Sequence, residues 1–294
     1  MATTDGIRIE EGVVFGRGGG RDLKCDIYTP ANIAPNAPAV LMLYGGGWRM
    51  GERGRMRDAS TAHAKHGFVC VAGEYRLTPE SPWPAQIHDV KASIRWMRAN
   101  AARLGIDPSK ISIQGHSAGA HLGMLAAATP NLPEFEGDGG NPGVSSEVAA
   151  IVAVYPPTVF HVGDQRPSGS TPASALMFEA ATEEKAKAAS PMAYARADFP
   201  PTFMLHGTKD TVVPVTASLR MYDALTAAGA KVEMHIYSGL PHGFGRLPSM
   251  LDMVQAESAG FINRNVVAPS KLAAELAEVQ AQMAAQQQAA AAAR

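Results

Sequence analysis

Short apolar runs recur along the chain at the spacing of β-strands. Near the N-terminus, residues 7–15 and 22–28 are two such runs joined by "GRGGGR", which predicts an antiparallel hairpin. Later runs such as "AVLMLY" and "FVCVAG" are apolar at almost every position, which is typical of strands buried on both faces of a parallel sheet. The later predicted strands cover residues 39–44, 68–74, 111–115, 148–155, 201–207 and 231–237.

Helical periodicity fills the intervals between these runs. The apolar positions of residues 85–104 recur at spacings of three and four, and Gly105 ends the pattern as expected of a helix C-terminus. Strands that alternate with amphipathic helices predict the α/β class. We therefore expect one domain over residues 1–267, with a mostly parallel eight-stranded sheet, an antiparallel N-terminal edge and helices on both faces.

Two long stretches interrupt this alternation. Residues 130–147 form a polar loop rich in glycine and proline, and residues 156–190 begin "PPTVFHVGDQRPSGSTPAS" before they become helical. Loops of this length are uncommon in compact domains and often form lids or binding walls. We expect residues 156–190 to be a small cap insertion.

The C-terminal residues 268–294 have a composition of their own, rich in alanine and glutamine. An apolar stripe at helical spacing, with Ser270 as N-cap, predicts a helix. This helix either packs on the domain or pairs with another copy in a homo-oligomer; the alternative is a frayed surface helix. The stripe consists of Leu272, Leu276, Val279 and Met283.

The composition narrows the classes of function. The 294 residues are 46% hydrophobic and 18% charged, with a formal net charge of −1. This balance lacks the basic surface that attracts nucleic acids or anionic membranes, so we expect neither as a partner. No apolar run reaches ~18 residues, and the N-terminal "MATTDGIRIEEG" lacks the apolar segment of a signal peptide. These features predict a cytoplasmic protein, unless a leader was removed.

Cysteine and histidine positions argue against a metal centre. Cys25 and Cys70 form no CxxC motif, and Cys70 lies in an apolar strand, as expected of a buried thiol. His63 and His66 are close in sequence, but nothing nearby completes a set of ligands. We expect no metal and no cofactor.

The most specific chemical signal is "ISIQGHSAGAHLGMLAAA", residues 111–128. An apolar strand leads into the G-x-S-x-G run "GHSAG", and a helix rich in alanine and leucine follows. In this setting the motif is a nucleophile elbow, which presents the Ser117 hydroxyl at the top of the sheet. The Ala118 amide and the helix N-terminus lie beside that hydroxyl. We predict Ser117 as a nucleophile.

A serine hydroxyl needs a base, and the base needs a group that fixes its tautomer. In this architecture the two follow the serine in the order acid, then histidine. Asp210 comes just after the strand "PTFMLHG", and His242 lies in the loop after "KVEMHIY". Taken singly, each would be an ordinary loop residue. Because parallel strands end at one edge of a sheet, we expect both side chains to converge on Ser117, with His206 bracing the acid loop.

Triple glycine in "YGGGW", residues 44–48, indicates a close approach of the main chain to another group. Attack by a serine creates an oxyanion, which needs N–H donors already aimed at it. A phosphate-binding loop is excluded because neither the dinucleotide glycine spacing nor a P-loop Lys-Ser/Thr pair is present. We therefore expect the amides of this loop, together with that of Ala118, to hold a transient negative charge.

The chain resembles the α/β-hydrolase superfamily, and within it the carboxylesterases that include hormone-sensitive-lipase-like and feruloyl-esterase-like bacterial enzymes. The matching runs are "LYGGGWRMGER", "GEYRLTPESPWPAQIHDV", "GHSAGAHL", "HGTKDTVVP" and "GLPHGF", within residues 40–245. The resemblance implies the α/β-hydrolase fold and an esterase activity. It also implies Ser117 as nucleophile, Asp210 as acid and His242 as base.

The resemblance further implies Gly46, Gly47 and Ala118 as the oxyanion-hole donors, but two positions depart from the family pattern. Tyr44 stands where the family usually has a histidine that braces the glycine loop; the tyrosine hydroxyl either does the same or points toward the oxyanion. His116 stands where the hormone-sensitive-lipase-like branch usually has aspartate. "GHSAGAHL" is closer to the feruloyl-esterase-like branch and to kynurenine formamidases.

These residues predict a serine carboxylesterase that acts through an acyl-enzyme on short- to medium-chain or bulky-alcohol esters. The alternative is an arylformamidase of the kynurenine formamidase type, which a comparison of formylkynurenine with p-nitrophenyl esters would distinguish. A non-catalytic binding protein is less expected, because such proteins typically lose one residue of the triad. The predicted substrate-binding residues are Tyr44, Trp48, His116, Phe160 and Phe244.

Overall fold

Strands form the framework of the molecule. The computed structural model describes residues 2–78, 80–163, 167–177 and 181–292. The strands within these ranges are β1 (Ala2–Thr4), β2 (Ile7–Gly18), β3 (Arg21–Pro30), β4 (Ala37–Leu43), β5 (Val69–Gly73), β6 (Ile106–His116), β7 (Ile151–Val154), β8 (Phe160–His161), β9 (Thr171–Pro172), β10 (Thr202–Gly207) and β11 (Val232–Tyr237).

One large sheet dominates the described residues, with nine strands in the order β1-β2-β3-β5-β4-β6-β7-β10-β11. β1 and β2, β2 and β3, and β3 and β5 pair antiparallel, and the remaining neighbour pairs are parallel. The predicted α/β-hydrolase fold, with an antiparallel N-terminal edge, is confirmed. The expected eight strands become nine because β1 pairs antiparallel with the start of β2.

Helices cover both faces of this sheet and connect its parallel strands. A helix of 15 residues with a buried middle section, Ala85–Ala99, links β5 to β6. The helices of the described residues are α1 (Arg57–Ala64), α2 (Ala85–Ala99), α3 (Ala101–Leu104), α4 (Ala118–Ala128), α5 (Pro133–Glu136), α6 (Ser174–Met177), α7 (Glu183–Ala188), α8 (Thr216–Ala227), α9 (Pro248–Ile262) and α10 (Pro269–Ala292).

The helix predicted over residues 85–104 is interrupted at Asn100, which separates α2 from α3. The Asn100 side chain donates a hydrogen bond to the Trp96 carbonyl at 2.9 Å, and its backbone leaves the helical region with ψ 18°. A side chain that competes for backbone groups in this way favours a helix end. Gly105 then adopts a left-handed conformation with φ 69°, as predicted for the C-terminus of the pattern.

Strand register brings four loops to one edge of the sheet. Leu43 of β4 is level with Gly115 of β6, and Gly207 of β10 is level with Tyr237 of β11. β7 lies between β6 and β10. The loops that leave β4, β6, β10 and β11 therefore emerge together, and they contain the predicted catalytic and oxyanion groups.

The two long stretches differ in what they contact. Glu136, in residues 130–147, binds Lys91 Nζ at 2.8 Å and Arg95 Nη1 at 2.6 Å, which holds this loop against α2. Residues 156–190 contain β8 and β9, which pair with each other, and α6 and α7. Residues 164–166 and 178–180 of this stretch lie outside the described residues. Its role as a cap stays a prediction.

The C-terminal residues form the long helix α10, which follows a short π-helical turn over Asn263–Val267. The helix begins at Pro269, so Ser270 lies inside its first turn rather than at the predicted N-cap position. Leu276, Val279 and Met283 are each more than half exposed, at 52%, 51% and 55%. The stripe packs on nothing within the described residues at these positions, and self-association through it stays a prediction.

None of the helices in the described part of the chain is long and apolar enough to cross a bilayer. The cytoplasmic location expected from the sequence stays a prediction. Cys25 and Cys70 are both buried and unbridged, and burial raises the pKa of each thiol. They therefore pack as small apolar side chains.

Candidate active site

Ser117 lies on the tight turn between β6 and α4. Its backbone, with φ 53° and ψ −116°, is strained for a residue that has a side chain, and such strain persists only where the surroundings hold it. The Ser117 amide donates to the Val154 carbonyl oxygen at 2.9 Å, which ties the turn to β7. Gly119 is required because a Cβ there would lie 2.5 Å from the carbonyl oxygens of Leu43 and Tyr44. This is the strand–turn–helix geometry of a nucleophile elbow.

Two hydrogen bonds connect three side chains at this edge of the sheet. His242 Nε2 lies 2.9 Å from Ser117 Oγ, and His242 Nδ1 lies 2.6 Å from Asp210 Oδ2. When Nδ1 carries the proton and donates it to the carboxylate, Nε2 accepts the hydrogen bond of the serine hydroxyl. The fold thus joins residues that the sequence places in three separate loops.

Asp210 is buried and held at both carboxylate oxygens. Its Oδ1 accepts hydrogen bonds from the amides of Val212 and Val213 at 2.9 and 2.8 Å, and its Oδ2 also lies 3.2 Å from His206 Nε2. Burial by itself would raise the pKa of Asp210, but the hydrogen bonds from the two histidines and the Val213 amide outweigh it and hold the pKa well below its usual range. The carboxylate therefore faces the His242 imidazole with a full negative charge at neutral pH.

His206 connects the acid loop to a helix. It is fully buried, with Nε2 at 2.8 Å from the Val213 carbonyl oxygen and Nδ1 at 2.7 Å from Ser218 Oγ on α8. Since the same Nε2 also approaches Asp210, its proton is shared between a carbonyl and a carboxylate. His206 thus contacts the acid loop at two points, which is the contact the sequence predicts for it.

The glycine loop, residues 44–48, passes directly beside Ser117. A Cβ on Gly45 would lie 3.0 Å from Ser117 Cβ, a distance that leaves no room for a side chain. Gly46 has φ 145°, and a Cβ there would lie 1.9 Å from the Met50 carbonyl oxygen. The close approach inferred from three consecutive glycines therefore has two targets. Gly45 approaches the nucleophile Ser117, and Gly46 approaches the Met50 carbonyl group, where the chain turns back on itself.

Three amides of this region are available to a ligand. The amides of Gly46 and Gly47 donate to no other residue in the described part of the chain, and both glycines line the same cavity as Ser117. Ala118 is the first residue of α4, where an N–H group has no partner within the helix. Donors in this arrangement suit a negatively charged oxygen bonded to the carbon that Ser117 would attack.

Tyr44, the first residue of the glycine loop, holds the loop in place through its hydroxyl group. Its hydroxyl donates to the Tyr75 carbonyl oxygen at 3.2 Å, so it points away from the amides of the loop. Burial raises the pKa of Tyr44, which keeps the hydroxyl protonated as a donor. Of the two alternatives open from the sequence, the bracing contact is the one observed.

A cavity of about 700 Å³ opens in front of Ser117. Of the residues predicted to bind substrate, Tyr44, Trp48 and His116 line it. Trp48 is held by a hydrogen bond from its Nε1 to His121 Nδ1 at 3.1 Å. The predicted cap contributes to the wall through Pro157, Thr171, Pro172 and Ala175.

Phe160 and Phe244 do not line the cavity, contrary to expectation. Phe160 lies behind Trp48, with 5.6 Å between the ring centroids. Phe244 is fully buried, 5.3 Å from the ring of Tyr155. Both rings therefore pack behind the cavity wall, because the rings of Trp48 and Tyr155 occupy the wall positions in front of them.

Tyr155 is a site residue that the motifs did not indicate. Its φ of 45° is rare for a bulky residue, and its ring lies 4.5 Å from the ring of His242. The Tyr155 hydroxyl lies 3.3 Å from His116 Nδ1. Burial raises the pKa of Tyr155, and burial, followed by the charges of Arg246 and His242, lowers the pKa of His116 to about 4. The only sequence signal was its place at the end of a predicted strand that reaches the same edge.

Comparison with known proteins identifies the family. Residues 25–225, which include Ser117 and Asp210, match the family model BD-FAE. The chain belongs to the BD-FAE family. Esterase LipQ of Mycobacterium tuberculosis is 34% identical to it over 255 residues, which cover 82% of this chain and 58% of LipQ. The chain spans about half the length of the curated relatives it matches.

Solved structures of esterases share the fold of this BD-FAE chain. A truncated carbohydrate esterase from gut microbiota superposes with a TM-score of 0.78 at 26% identity, covering 90% of this chain and 98% of that one. The thermophilic esterase Est2 of Thermogutta terrifontis, with propionate bound, gives a TM-score of 0.74 at 29% identity, covering 88% and 94%. These relatives are named as esterases, and none of the three is named as a formamidase.

Proposed function

We propose that this chain is a serine carboxylesterase that cleaves short- to medium-chain or bulky-alcohol esters through an acyl-enzyme. The observation that carries the proposal is the continuous hydrogen-bonded series from Ser117 through His242 to Asp210, beside three unpaired amides. The esterase names of the relatives support it. Ser117 is the nucleophile, His242 the general base and Asp210 the group that orients the base.

In the first half of the reaction, His242 Nε2 takes the proton of Ser117 Oγ as that oxygen attacks the ester carbonyl carbon. The carbonyl π electrons move to its oxygen, and the amides of Gly46, Gly47 and Ala118 hold the resulting oxyanion. The tetrahedral species collapses when the carbon–oxygen bond to the alcohol breaks. The imidazolium then gives its proton to the leaving alkoxide oxygen, which departs as the alcohol.

In the second half, a water molecule takes the place of the alcohol. His242 accepts a proton from this water as its oxygen attacks the acyl carbon, and the same amides hold the second oxyanion. Collapse releases the carboxylic acid and returns the proton to Ser117. The buried carboxylate of Asp210, 2.6 Å from Nδ1, stabilises the imidazolium in both halves.

The cavity supports the proposed range of substrates. A volume of about 700 Å³ accommodates a whole small ester, including its alcohol part. Apolar side chains such as Met56, Val213 and Leu251 contribute to its walls. The propionate bound to the similar esterase Est2 is a short acyl product, and we extend a short-acyl preference to this chain on that basis.

The test is hydrolysis of p-nitrophenyl acetate, butyrate and octanoate by the wild type and by Ser117→Ala. We expect the substitution to lower kcat/KM by about 10³-fold or more with the fold intact, because the nucleophile alone is lost. Ser109→Ala, near the opposite end of β6, is the matched control and should retain activity. Retained hydrolysis in Ser117→Ala would refute the assignment, and faster cleavage of formylkynurenine than of every ester would favour the formamidase alternative.

A further inference from the structure

The wall of the active-site cavity carries more positive than negative charge. Among the described residues that line it, the formally charged side chains at neutral pH are three arginines and one aspartate. A net positive wall is unexpected for a chain whose overall formal charge is −1. The charged residues are Arg49, Arg55, Arg246 and Asp58.

Arg246 is the cation nearest to the proposed general base, His242, along the chain. It ends a short 3-10 turn over Phe244–Arg246, and its amide donates to the Gly243 carbonyl oxygen at 3.1 Å. A Cβ on Gly243 would lie 3.3 Å from Arg246 Nη2, so the guanidinium folds back over the residue next to His242. Its charge is also felt at His116 and Tyr155, whose pKa values it lowers.

The guanidinium of Arg246 has no partner within the described part of the chain. It makes no ion pair there, whereas Arg21, Arg53 and Arg76 elsewhere on the molecule each bind carboxylates. Arg246 is exposed at the cavity, so its charge is hydrated and accessible to a ligand. An accessible guanidinium with five donors suits a carboxylate, which it binds through two parallel hydrogen bonds.

The chemistry of the reaction decides which half of a substrate meets Arg246. His242 Nε2 must give its proton to the leaving alcohol oxygen, so the alcohol part lies on the His242 side of the cavity. Arg246 folds over Gly243 on this same side, whereas two of the three oxyanion amides, those of Gly46 and Gly47, belong to the loop after β4. Exposed apolar side chains, Val212 at 58% and Met50 at 60%, also line the cavity and suit an apolar body between the two ends of the substrate.

We propose that preferred substrates are esters of alcohols or phenols that carry a carboxylate, which the Arg246 guanidinium binds. The inference rests on the proposed esterase function and names the substrate class of that site. Arg246 acts in specificity, since it binds the leaving group and takes no part in proton transfer.

The experiment compares two acetate esters that differ in charge alone. Para-acetoxyphenylpropanoate carries a carboxylate two methylenes from the ring, and its primary amide is neutral, so the acidity of the leaving phenol is nearly the same. The measured quantity is the ratio of kcat/KM for the carboxylate to kcat/KM for the amide. We expect a ratio above one in the wild type, which falls as sodium chloride screens the interaction.

Variants distinguish the effect of the Arg246 charge on this ratio from the effect of the overall charge of the molecule. Arg246→Gln should lower the ratio by about fivefold, a modest factor because the group is exposed. Arg246→Glu should take the ratio below one. The matched control Arg8→Gln removes the same charge from an exposed position on β2 and should leave the ratio unchanged.

The outcomes distinguish this inference from the function on which it rests. A ratio that stays the same in Arg246→Gln, Arg246→Glu and Arg8→Gln overturns the inference, while loss of hydrolysis in Ser117→Ala still supports the esterase. If the wild type hydrolyses neither ester faster than Ser117→Ala does, the proposed function fails and the inference fails with it. Because Arg246 has no partner in the described residues, its variants are expected to fold.

Discussion

Tyr44 and Tyr75 each donate a hydroxyl hydrogen bond to the other's backbone carbonyl. The distance from Tyr75 Oη to the Tyr44 carbonyl oxygen is 2.9 Å, and that from Tyr44 Oη to the Tyr75 carbonyl oxygen is 3.2 Å. The rings stack with 4.4 Å between their centroids. This pair joins the loop after β4 to the loop after β5, and so holds Tyr44, the first residue of the glycine loop, in place. Tyr44 is the position at which the family pattern usually has a histidine.

The Tyr44–Tyr75 pair predicts a coupled loss of stability and turnover. Tyr75→Phe removes a buried hydrogen bond, so we expect a loss of about 1–2 kcal/mol in the free energy of unfolding and a lower kcat, because the glycine loop is less firmly held. Tyr28→Phe is the matched control, since the Tyr28 hydroxyl is buried without a partner in the described residues. Urea unfolding and steady-state kinetics measure both effects, and equal behaviour of the two variants would contradict the bracing role.

Asp210→Asn should lower kcat by about 10⁴-fold with little change in fold. An amide at this position offers an N–H toward His242 Nδ1, which favours the imidazole tautomer that cannot accept the proton of Ser117. Asp223→Asn, exposed on α8, is the control for loss of one negative charge. Ester hydrolysis and a thermal melt check the result; an active Asp210→Asn enzyme with unchanged kcat would exclude Asp210 as the orienting acid.

Gly46 and Gly47 should respond differently to alanine. In Gly46→Ala the new Cβ would meet the Met50 carbonyl oxygen at 1.9 Å, so the loop must move and we expect a loss of about 10²-fold or more in kcat. Gly47 has φ 59° but open space around its Cβ position, so Gly47→Ala carries only backbone strain of about 1 kcal/mol and should lose less activity. A larger loss in Gly47→Ala than in Gly46→Ala would contradict this steric ranking.

Three buried histidines predict acid-sensitive stability. Burial lowers the pKa of His63, His116 and His121 from 6.5 to about 4. Below pH 6.5 the unfolded chain therefore takes up protons that the folded chain excludes, and stability falls as the pH decreases to about 4, by at most about 3 kcal/mol per histidine. Urea midpoints measured across this range check the slope.

Substitution at one of these histidines tests the origin of that slope. His63→Gln removes a buried titrating group and should flatten the pH dependence. His66→Gln, at an exposed position just after α1, should change it much less, because the charge of His66 contributes less than burial to the lowered pKa of His63. The comparison concerns the slope and not the absolute stability, because His63 also bonds Gln255 at 3.1 Å. Stability that does not change between neutral pH and about pH 4 would contradict the prediction.

Deletion of residues 268–294 should leave the domain folded and active. α10 contacts the rest of the described chain near its own first turn, and its later residues are exposed. The deletion therefore exposes little of the surface that the domain buries. Light scattering during size exclusion, with and without these residues, measures whether the apolar stripe joins two copies. Fewer chains per particle after deletion would support self-association through the stripe, and a full-length protein that is already monomeric would exclude it.

The local part of the site could be predicted from the sequence because each motif is a short segment with one steric solution. "GHSAG" between an apolar strand and a helix determines a tight turn, and Gly119 is needed there for close approach to Leu43 and Tyr44. Parallel strands place Asp210 and His242 at that edge in the expected order. The α/β class followed from alternation of apolar runs with helical periodicity, which is also a local pattern.

Only the tertiary structure decided which side chains face the cavity and which support it. Phe160 and Phe244 adjoin the site in sequence but pack behind Trp48 and Tyr155, whose rings lie between them and the cavity. That Tyr75 is the partner of Tyr44 depends on a contact between separate loops. Arg246 folds back over Gly243 within its own turn, in a direction that the motif does not specify. Periodicity and motif spacing describe residues that are neighbours along the chain. Contacts between loops depend on how distant segments pack together, and neither pattern contains that information.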